Sequence, residues 1–571
     1  MSAFLQFLDR RTRAVLAVLT LLFLGVETFY AIHRPLHLDE FNIAWEVSRL
    51  ATKVPFVDYQ PFKPILGSCV LLALLHLGPD TWGGFVFARL GMTCLSAGVL
   101  FAGALSLRRL FLPGAVCFAY ALMIVMTSLV EWAIEVRLDM LTALFGFVSL
   151  LLLLNRRIAM AGAVAGLGFL ISQKGTMYAL AGGIALLGCL ATERDRPRTR
   201  DVLVYGACLV LPIGLYVLWW SLIASLPQVC RTTFAEPNQL VALTTPTGSS
   251  LYRDSWLETL ERNPFFYLCS LWALGRLIAL GRERDSRQTL LLLYGGTVVV
   301  MMLSLAQPWP YSFVLFVPTL LVLQADLFSR ELRRPRSLLH RSDFLLGYCL
   351  FGLLIPLSRV PIVAQYDPGA QRQTIELTEA LLGPEDRYFA GFFLLYRHDA
   401  SARTLNYVDS TSAFPTHKLT TTEVAGILEH LRAEPIRLVV YNWKIDFEVP
   451  EPIRKHLYRN YAPLWANVWI YAPQVRPSDS DVNLLFTDVY SIEMEQPHPV
   501  IIDGQTYPPG ATVELQRGRH TIATKSRLRL KLRAAKVDHL LNPAYREPTV
   551  FFWPGKGLAP PHARTGLWVV N

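Results

Sequence analysis

Long apolar runs constrain this chain more than any other feature. A helix needs about 20 largely apolar residues to cross the hydrocarbon of a bilayer. Runs of that kind recur at about 14–32, 84–107, 113–130, 138–154, 158–172, 175–191, 202–224, 264–280, 290–306, 311–328 and 343–358. Of the 571 residues, 53% are hydrophobic and only 17% are charged, too little polar surface for a soluble globule of this length. The sequence therefore predicts a polytopic α-helical membrane protein with about 11–13 transmembrane helices. The first run is too long for a signal-peptide core, and no small-x-small cleavage site follows it, so it reads as a retained span.

The arginines set the expected orientation. They cluster as Arg10, Arg11 and Arg13, as Arg108-Arg109 and Arg156-Arg157, and within 193–200, 281–287 and 329–336. Cytoplasmic loops of membrane proteins are enriched in Lys and Arg, so these clusters and the N-terminus are placed in the cytoplasm. The segments 33–64, 131–139, Ser172 to Lys174, 225–262 and 307–310 then face outward, as does everything after about 359. The apolar segment 64–78 breaks this parity if it spans, so it reads as a re-entrant or interfacial helix. The net charge of +10 sits largely in the loops and suits anionic lipid, which argues against a nucleic-acid partner. Eight Cys lie scattered in the apolar runs, none beyond Cys349 and none as CxxC. They read as small core residues, with no disulfide framework.

The character of the chain changes after about 360. Residues 421–433 carry a helical pattern, 436–442 reads as a buried strand, and 466–472 reads as its partner. The segment HPVIIDGQTYPPGATVELQRGRHTI holds Asp-Gly and Pro-Pro-Gly turns between strand-like runs, and KSRLRLKL alternates polar with apolar residues as a half-buried strand does. The expected domains are a transmembrane domain at 1–360 with a first outer loop at about 33–64, an α/β domain at 361–478, and a small β-sandwich at 479–571.

Charged residues converging at a membrane face mark a site. Asp39 and Glu40, Lys63, Arg137 and Asp139, and Lys174 all fall on the outward side, from four separate segments. A carboxylate serves as general base for an incoming hydroxyl, while lysine and arginine hold a phosphate and stabilise charge on a phosphate leaving group. That set fits group transfer from a lipid phosphate. Each residue also has a plainer reading. Asp39-Glu40 suits a helix N-terminus, with position alone dividing evenly between the two. Lys63 and Lys174 suit snorkelling to headgroups. Arg137 and Asp139 suit a structural ion pair. Glu131 and Glu135, one helical turn apart, read as solvated-face residues, and His37 reads as a local hydrogen-bonding partner. No HxxxH or carboxylate–His spacing points to a metal.

The order HLDE, YQPFKP, GPDTWGGFVFARLGM, EVRLDMLTALFGFVSLLLLL, GLGFLISQKGTMYALAGGIALL and QPWPYSFVLFVPTLLVL resembles the bacterial membrane glycosyltransferases of the C-type superfamily. The branch it looks most like holds the aminoarabinose transferase of lipid A and the protein O-mannosyltransferases. The resemblance covers about residues 10–360. It implies that Asp39 is the catalytic base or acceptor-orienting group and that Asp139 is the second catalytic carboxylate. It further implies that Lys63 contacts the lipid phosphate, with Lys174 or Arg137 as the second substrate-binding cation beside it and Tyr311 a phosphate or lipid contact. Glu40 is a substrate-binding candidate or only the start of the following helix. Two positions depart from the pattern. Phe62 stands where relatives often carry a metal-binding Glu, so no divalent metal is predicted. Gln307 stands where relatives commonly carry a basic residue. The strand pattern after 498 resembles periplasmic β-modules of the PEGA type.

The implied function is inverting transfer of a sugar from a polyprenyl-phosphate donor to an acceptor hydroxyl or phosphate. The implied setting is the periplasmic face of a bacterial inner membrane. The expected partners are that donor, membrane lipid, and a glycan, lipid or protein acceptor. An envelope oligosaccharide ligase or polymerase is the alternative within this chemistry. A glycolipid transporter or flippase is the alternative outside it, although no repeated pair of broken helices is evident.

Overall fold

The structure, a computed structural model, describes residues 3–61, 63–190, 199–235, 250–305, 309–334, 367–397, 420–442 and 449–546, with positions 354, 361, 364 and 445. The expected span at 343–358 (apart from residue 354), Phe62, Gln307 and Cys349 lie outside the described residues. The chain divides into two compact units, Met1–Arg34 with Glu46–Tyr366, and Pro35–Trp45 with Asp367–Asn571.

The helices begin with α1 (Ala3–His33), α2 (Leu38–Ser48), α3 (Leu66–Leu75), α4 (Thr81–Leu107), α5 (Pro113–Ile124) and α6 (Thr127–Trp132). They continue with α7 (Leu138–Leu154), α8 (Ile158–Ile171), α9 (Thr176–Leu190), α10 (Thr199–Ile223) and α11 (Leu226–Cys230). Then come α12 (Ser250–Arg262), α13 (Pro264–Ala279), α14 (Ser286–Leu303) and α15 (Val317–Glu331). All of them belong to the first unit except α2, whose Leu38–Trp45 lie in the second. Among the described residues, four helices are long and apolar enough to cross a membrane: Phe7–His33 of α1, α4, α10 and α14. The shorter apolar helices α3, α5, α7, α8 and α13 pack among them. This is the polytopic membrane fold that the apolar runs predict.

Close backbone contact holds several of these helices together. A Cβ on Gly162 or Gly166 of α8 would lie 2.3 Å from the carbonyl oxygen of Tyr205 or Leu209 on α10. Only glycine lets the two backbones approach so closely, the usual device where hydrophobicity alone cannot drive helices together. On α3, a Cβ at Gly67 would meet Leu138 Cδ2 at 2.7 Å and the Ile171 carbonyl oxygen at 2.9 Å. Gly67 thereby brings α3 against the start of α7 and the end of α8.

The structure corrects the reading of 113–130 as one span and of the cysteines as uniformly buried, while 64–78 is a helix too short to span, in line with its re-entrant or interfacial reading. The run at 113–130 is two helices, because Met126 is extended (φ −66°, ψ 122°). The exposed backbone of the second helix is satisfied from elsewhere: Asn263 Oδ1 accepts from the Thr127 amide at 2.8 Å and from its hydroxyl at 3.0 Å. The segment at 64–78 forms the helix α3, whose ten residues span about 15 Å, half the hydrocarbon thickness. Of the cysteines, Cys117, Cys189 and Cys269 are buried, but Cys69 and Cys94 are exposed on their helices.

The second unit contains Leu38–Trp45 of α2 and, after residue 366, α16 (Gly369–Leu381), α17 (Thr421–Ala433) and α18 (Glu451–Asn460). A capping box starts α17, with Thr420 and Glu423 exchanging side-chain-to-backbone bonds. Its strands are β1 (Tyr388–Phe389), β2 (Leu438–Val440), β3 (Tyr461–Trp465), β4 (Val468–Tyr471), β5 (Gln474–Val475) and β6 (Asp481–Leu484). They continue as β7 (Asp488–Met494), β8 (Val500–Ile502), β9 (Gln505–Tyr507), β10 (Thr512–Leu515), β11 (Gly518–Ala523) and β12 (Leu528–Leu532). One sheet has the order β1-β2-β4-β3, with β1 and β2 parallel and the other neighbours antiparallel. The antiparallel β2–β4 pair joins the two segments that the sequence pairs. Two antiparallel sheets follow, β10-β7-β12-β5 and β6-β11-β8-β9. The Asp503-Gly504 turn joins β8 to β9 with both residues at positive φ (49° and 81°), as a type I′ hairpin requires. In β12 alternate residues are buried, as the strict alternation predicts. Arg529 of β12 donates to the carbonyls of Tyr458, Tyr461 and Ala472 and so fastens this strand to the first sheet region.

Candidate functional site: a cationic cluster around Asp139

The site in the first unit is built where helices end. After α6 the chain leaves helical geometry, and the Arg137 amide donates to the Glu135 carbonyl at 2.7 Å in a tight three-residue turn. Arg137 itself is extended (φ −140°, ψ 160°), and Leu138 opens α7. Asp139 therefore sits in the first turn of α7, where the helix dipole favours a carboxylate. A second segment supplies Lys174 from a 3₁₀ turn between α8 and α9. Ser172 Oγ accepts from the Lys174 amide at 3.4 Å, and a Cβ on Gly175 would lie 2.4 Å from the Gly168 carbonyl oxygen. The turn is thus pressed onto α8, and its lysine has little freedom to move. A third segment, the 3₁₀ turn Pro310–Leu315 before α15, supplies Tyr311 and Ser312.

These segments converge on one carboxylate. Lys174 Nζ is 2.6 Å from Asp139 Oδ1 and 3.3 Å from Ser312 Oγ. Arg137 Nε is 3.3 Å from Asp139 Oδ2. The Tyr311 ring lies beneath both cations, 3.3 Å from Arg137 Cζ and 5.2 Å from Lys174 Nζ. Trp132 packs edge-on to Tyr311 and Trp309 stacks beside it. Lys63 faces the same charges. Burial pushes its ammonium below the usual lysine range; Asp139 opposes that shift, and Lys174 and Arg137 add to it. Lys63, Arg137, Asp139, Lys174 and Tyr311 are therefore brought together. Arg137 and Lys174 pair directly with the Asp139 carboxylate and Lys63 faces it, so three cations gather around one carboxylate, with Glu135 3.8 Å from Arg137 on its other side. Such a cluster attracts an anion and offers it bidentate and single-point donors.

Asp39 and Glu40 are carried by the second unit, on α2. The two carboxylates differ in their surroundings. Glu40 is fully buried, and its Oε2 accepts from the His37 amide at 2.8 Å, closing the first turn of α2. Asp39 keeps 36% of its side chain exposed, and its amide donates to His37 Nδ1 at 3.3 Å. Glu40 thus takes the helix-end part, while the Asp39 carboxylate is partly exposed, 3.9 Å from His37 Nδ1. The helix is held by Gln371, which bonds the Leu36 amide and carbonyl at 2.7 and 3.0 Å, and by Trp45 stacked on Phe393.

Glu131 and Glu135 are not on a solvated face. Both are buried, 6% and 1% exposed, because residues 133–137 are not helical and their spacing is not that of one helix face. Glu135 lies 3.4 Å from Arg34 and 3.8 Å from Arg137, while Glu131 pairs with Arg262 at 3.3 Å. The signal for Glu135 is the alternation Glu135-x-Arg137-x-Asp139, which brings three charges together where the extended Arg137 leads into α7. Among the described residues no group of three or more His, Cys, Asp or Glu side chains is arranged to hold a metal ion.

The helical unit, with charged turns gathered at helix ends, and the strand-rich region after it share the fold of a solved membrane protein. That structure is ArnT from Cupriavidus metallidurans, crystallised bound to undecaprenyl phosphate. It aligns with a TM-score of 0.56 and 13% identity over 80% of this chain and 97% of that one. The oligosaccharyltransferase of Archaeoglobus fulgidus, crystallised with zinc and sulfate, aligns with a TM-score of 0.44 and 10% identity over 91% and 98% of the respective chains. No protein-family model and no curated protein matches the sequence.

Proposed function

We propose that this protein is an inverting glycosyltransferase that uses a sugar linked to a polyprenyl phosphate. The observation that carries the proposal is the convergence of Lys63, Arg137 and Lys174 on the single carboxylate of Asp139. The fold it shares with an enzyme crystallised on undecaprenyl phosphate supports the same reading. In this reading the three cations hold the donor phosphate, Asp139 holds the cations in place, and Tyr311 walls the phosphate site. The acceptor oxygen attacks the anomeric carbon as the bond from that carbon to the phosphate oxygen breaks. The lipid phosphate leaves with the bonding electrons, its new charge balanced by the cations. The acceptor proton passes to a base, for which the motif proposes Asp39. One displacement inverts the anomeric centre. The proposed setting is a bacterial inner membrane, with the N-terminus cytoplasmic and the second unit periplasmic.

The test is purified protein in nanodiscs with a radiolabelled polyprenyl-phosphate sugar and an envelope lipid extract as acceptor. Release of polyprenyl phosphate with label in a new product is expected, unchanged by EDTA. Movement of label between leaflets with the donor intact would overturn the reading in favour of a transporter. Asp39→Asn is expected to lower kcat at least ~100-fold, as for a lost general base. Mass spectrometry of glycans and lipids from a deletion strain then names the sugar and the acceptor.

A further inference from the structure

The cationic cluster does not end at Arg137. Beyond it, Glu135 lies 3.8 Å from Arg137 Nε on one side and 3.4 Å from Arg34 on the other. The Glu135 side chain is fully buried, and Arg34 is 15% exposed. Charges therefore alternate along one line: Arg34, Glu135, Arg137, Asp139, Lys174. Arg34 is itself fixed. Its guanidinium bonds the Glu131 carbonyl and lies 4.3 Å over the Trp132 ring, while its own carbonyl accepts from the buried Arg89 at 2.6 Å. The two carboxylates beside Arg137 hold it unequally. The Asp139 contact is 3.3 Å and is reinforced by Lys174, whereas the Glu135 contact is longer and has Arg34 as a second claimant.

We propose that Glu135 and Arg34 are positioning residues that limit how tightly the cluster holds a lipid phosphate and thereby speed its release. This rests on the function proposed above. When a phosphate docks on Arg137, the weaker Glu135 contact gives way and Glu135 stays paired with Arg34. When the sugar has been transferred, the lipid phosphate must leave a site built to attract it. Glu135 then competes for Arg137 and lowers the barrier to departure. A nearby buried carboxylate is an effective competitor because charges interact strongly where water is excluded. The arrangement differs from a purely structural ion-pair chain in the sign of its effect. Removing a structural carboxylate loosens the site, whereas removing a competitor tightens it.

The experiment measures binding of undecaprenyl phosphate to the full-length protein in nanodiscs, with affinity and dissociation rate read separately and folding checked by the thermal midpoint. Glu135→Gln is expected to bind about tenfold tighter and to release more slowly, equivalent to about 1.4 kcal/mol. Arg34→Gln, which leaves Glu135 with Arg137 as its nearer partner, is expected to bind about tenfold weaker. The double variant is expected to bind within about threefold of Glu135→Gln, because Arg34 acts through Glu135. Weaker or unchanged binding by a folded Glu135→Gln would overturn the proposal, as would a double variant no tighter than Arg34→Gln. The second comparison decides the matter even if Glu135→Gln alone does not fold. Native protein that binds no undecaprenyl phosphate overturns the function proposed above together with this inference. Native binding with the wrong order among variants overturns this inference alone.

Discussion

Lys174 and Asp139 stand 2.6 Å apart, joining the turn between α8 and α9 to the first turn of α7. The Asp139 side chain is 6% exposed and the Lys174 side chain 31%, so the carboxylate is the more desolvated partner. The pair organises the cluster from its buried side.

Asp139→Asn removes the charge shared by Lys174 and Arg137. Breaking a buried pair from one side costs about 3–5 kcal/mol, because the remaining charge loses its compensation. The lower end is expected here, since Lys174 is partly solvated. A thermal or denaturant midpoint in detergent reads the loss. Asp139→Asn combined with Lys174→Met should be less destabilised than the sum of the two single variants.

Under the proposed function, Lys63 is expected to set an alkaline limit on phosphate binding. Its ammonium lies below the usual lysine value of 10.5 because it is buried, with Lys174 and Arg137 adding to the effect against Asp139. A lysine with a lowered pKa loses its proton at a lower pH than an ordinary one. In the proposed phosphate site, affinity for polyprenyl phosphate is therefore expected to fall with rising pH before an ordinary lysine would titrate. Lys63→Arg keeps its charge throughout that range and should flatten the alkaline limb. Lys63→Ala should weaken binding about 10- to 100-fold at neutral pH, the loss of a charge-assisted hydrogen bond.

Gly175→Ala should damage the site without touching its chemistry. The added Cβ would lie 2.4 Å from a backbone carbonyl oxygen, which cannot swing aside as a side chain can. Overpacking of this kind costs about 1–3 kcal/mol and pushes the Lys174 turn off α8. Lower stability together with weaker phosphate binding is expected, measured by thermal midpoint and by Kd on the same preparation.

The second unit carries its own pH dependence. Burial, with Arg432 and Arg459 nearby, lowers His456 from 6.5 to about 4. Between those values the unfolded chain binds the proton and the folded one does not, so stability rises with pH through this window and falls as pH drops through it. Above 6.5 the residue is neutral in both states and contributes no slope. The loss on acidification is on the order of 2 kcal/mol after screening. Hydrogen exchange in α18 of the full-length protein between pH 7 and 4 measures it, corrected for the intrinsic pH dependence of exchange, and His456→Gln should remove the slope.

Much of this was legible from residue pattern alone. Apolar runs located the helices because a bilayer demands length and composition together. The alternation in KSRLRLKL and the Asp-Gly pair located β12 and the β8–β9 turn because strand period and turn chemistry are local. The convergence of Lys63 with Arg137 and Lys174 was not local. It depends on Gly67 seating α3 against α7 and α8, a contact that no spacing rule encodes. Glu135 was missed for a different reason. Counting it with Glu131 on one helical face presumes a helix where the chain turns, and once the turn is recognised the same residues read as a charged edge.

The Leu36–Gln371 hydrogen bonds and the Trp45–Phe393 stack have a consequence for engineering. The polypeptide passes between the two units three times, after Arg34, after Trp45 and after Tyr366. A truncation at 366 therefore does not yield the helical unit cleanly. It strands α2 with its buried Glu40 and Phe41 and its half-buried Trp45 stripped of their packing partners, while the excised C-terminal piece lacks its first helical segment. Chimeras between relatives of this fold need matched junctions at all three passages, and the short Pro35–Trp45 segment must travel with the distant sequence it packs against.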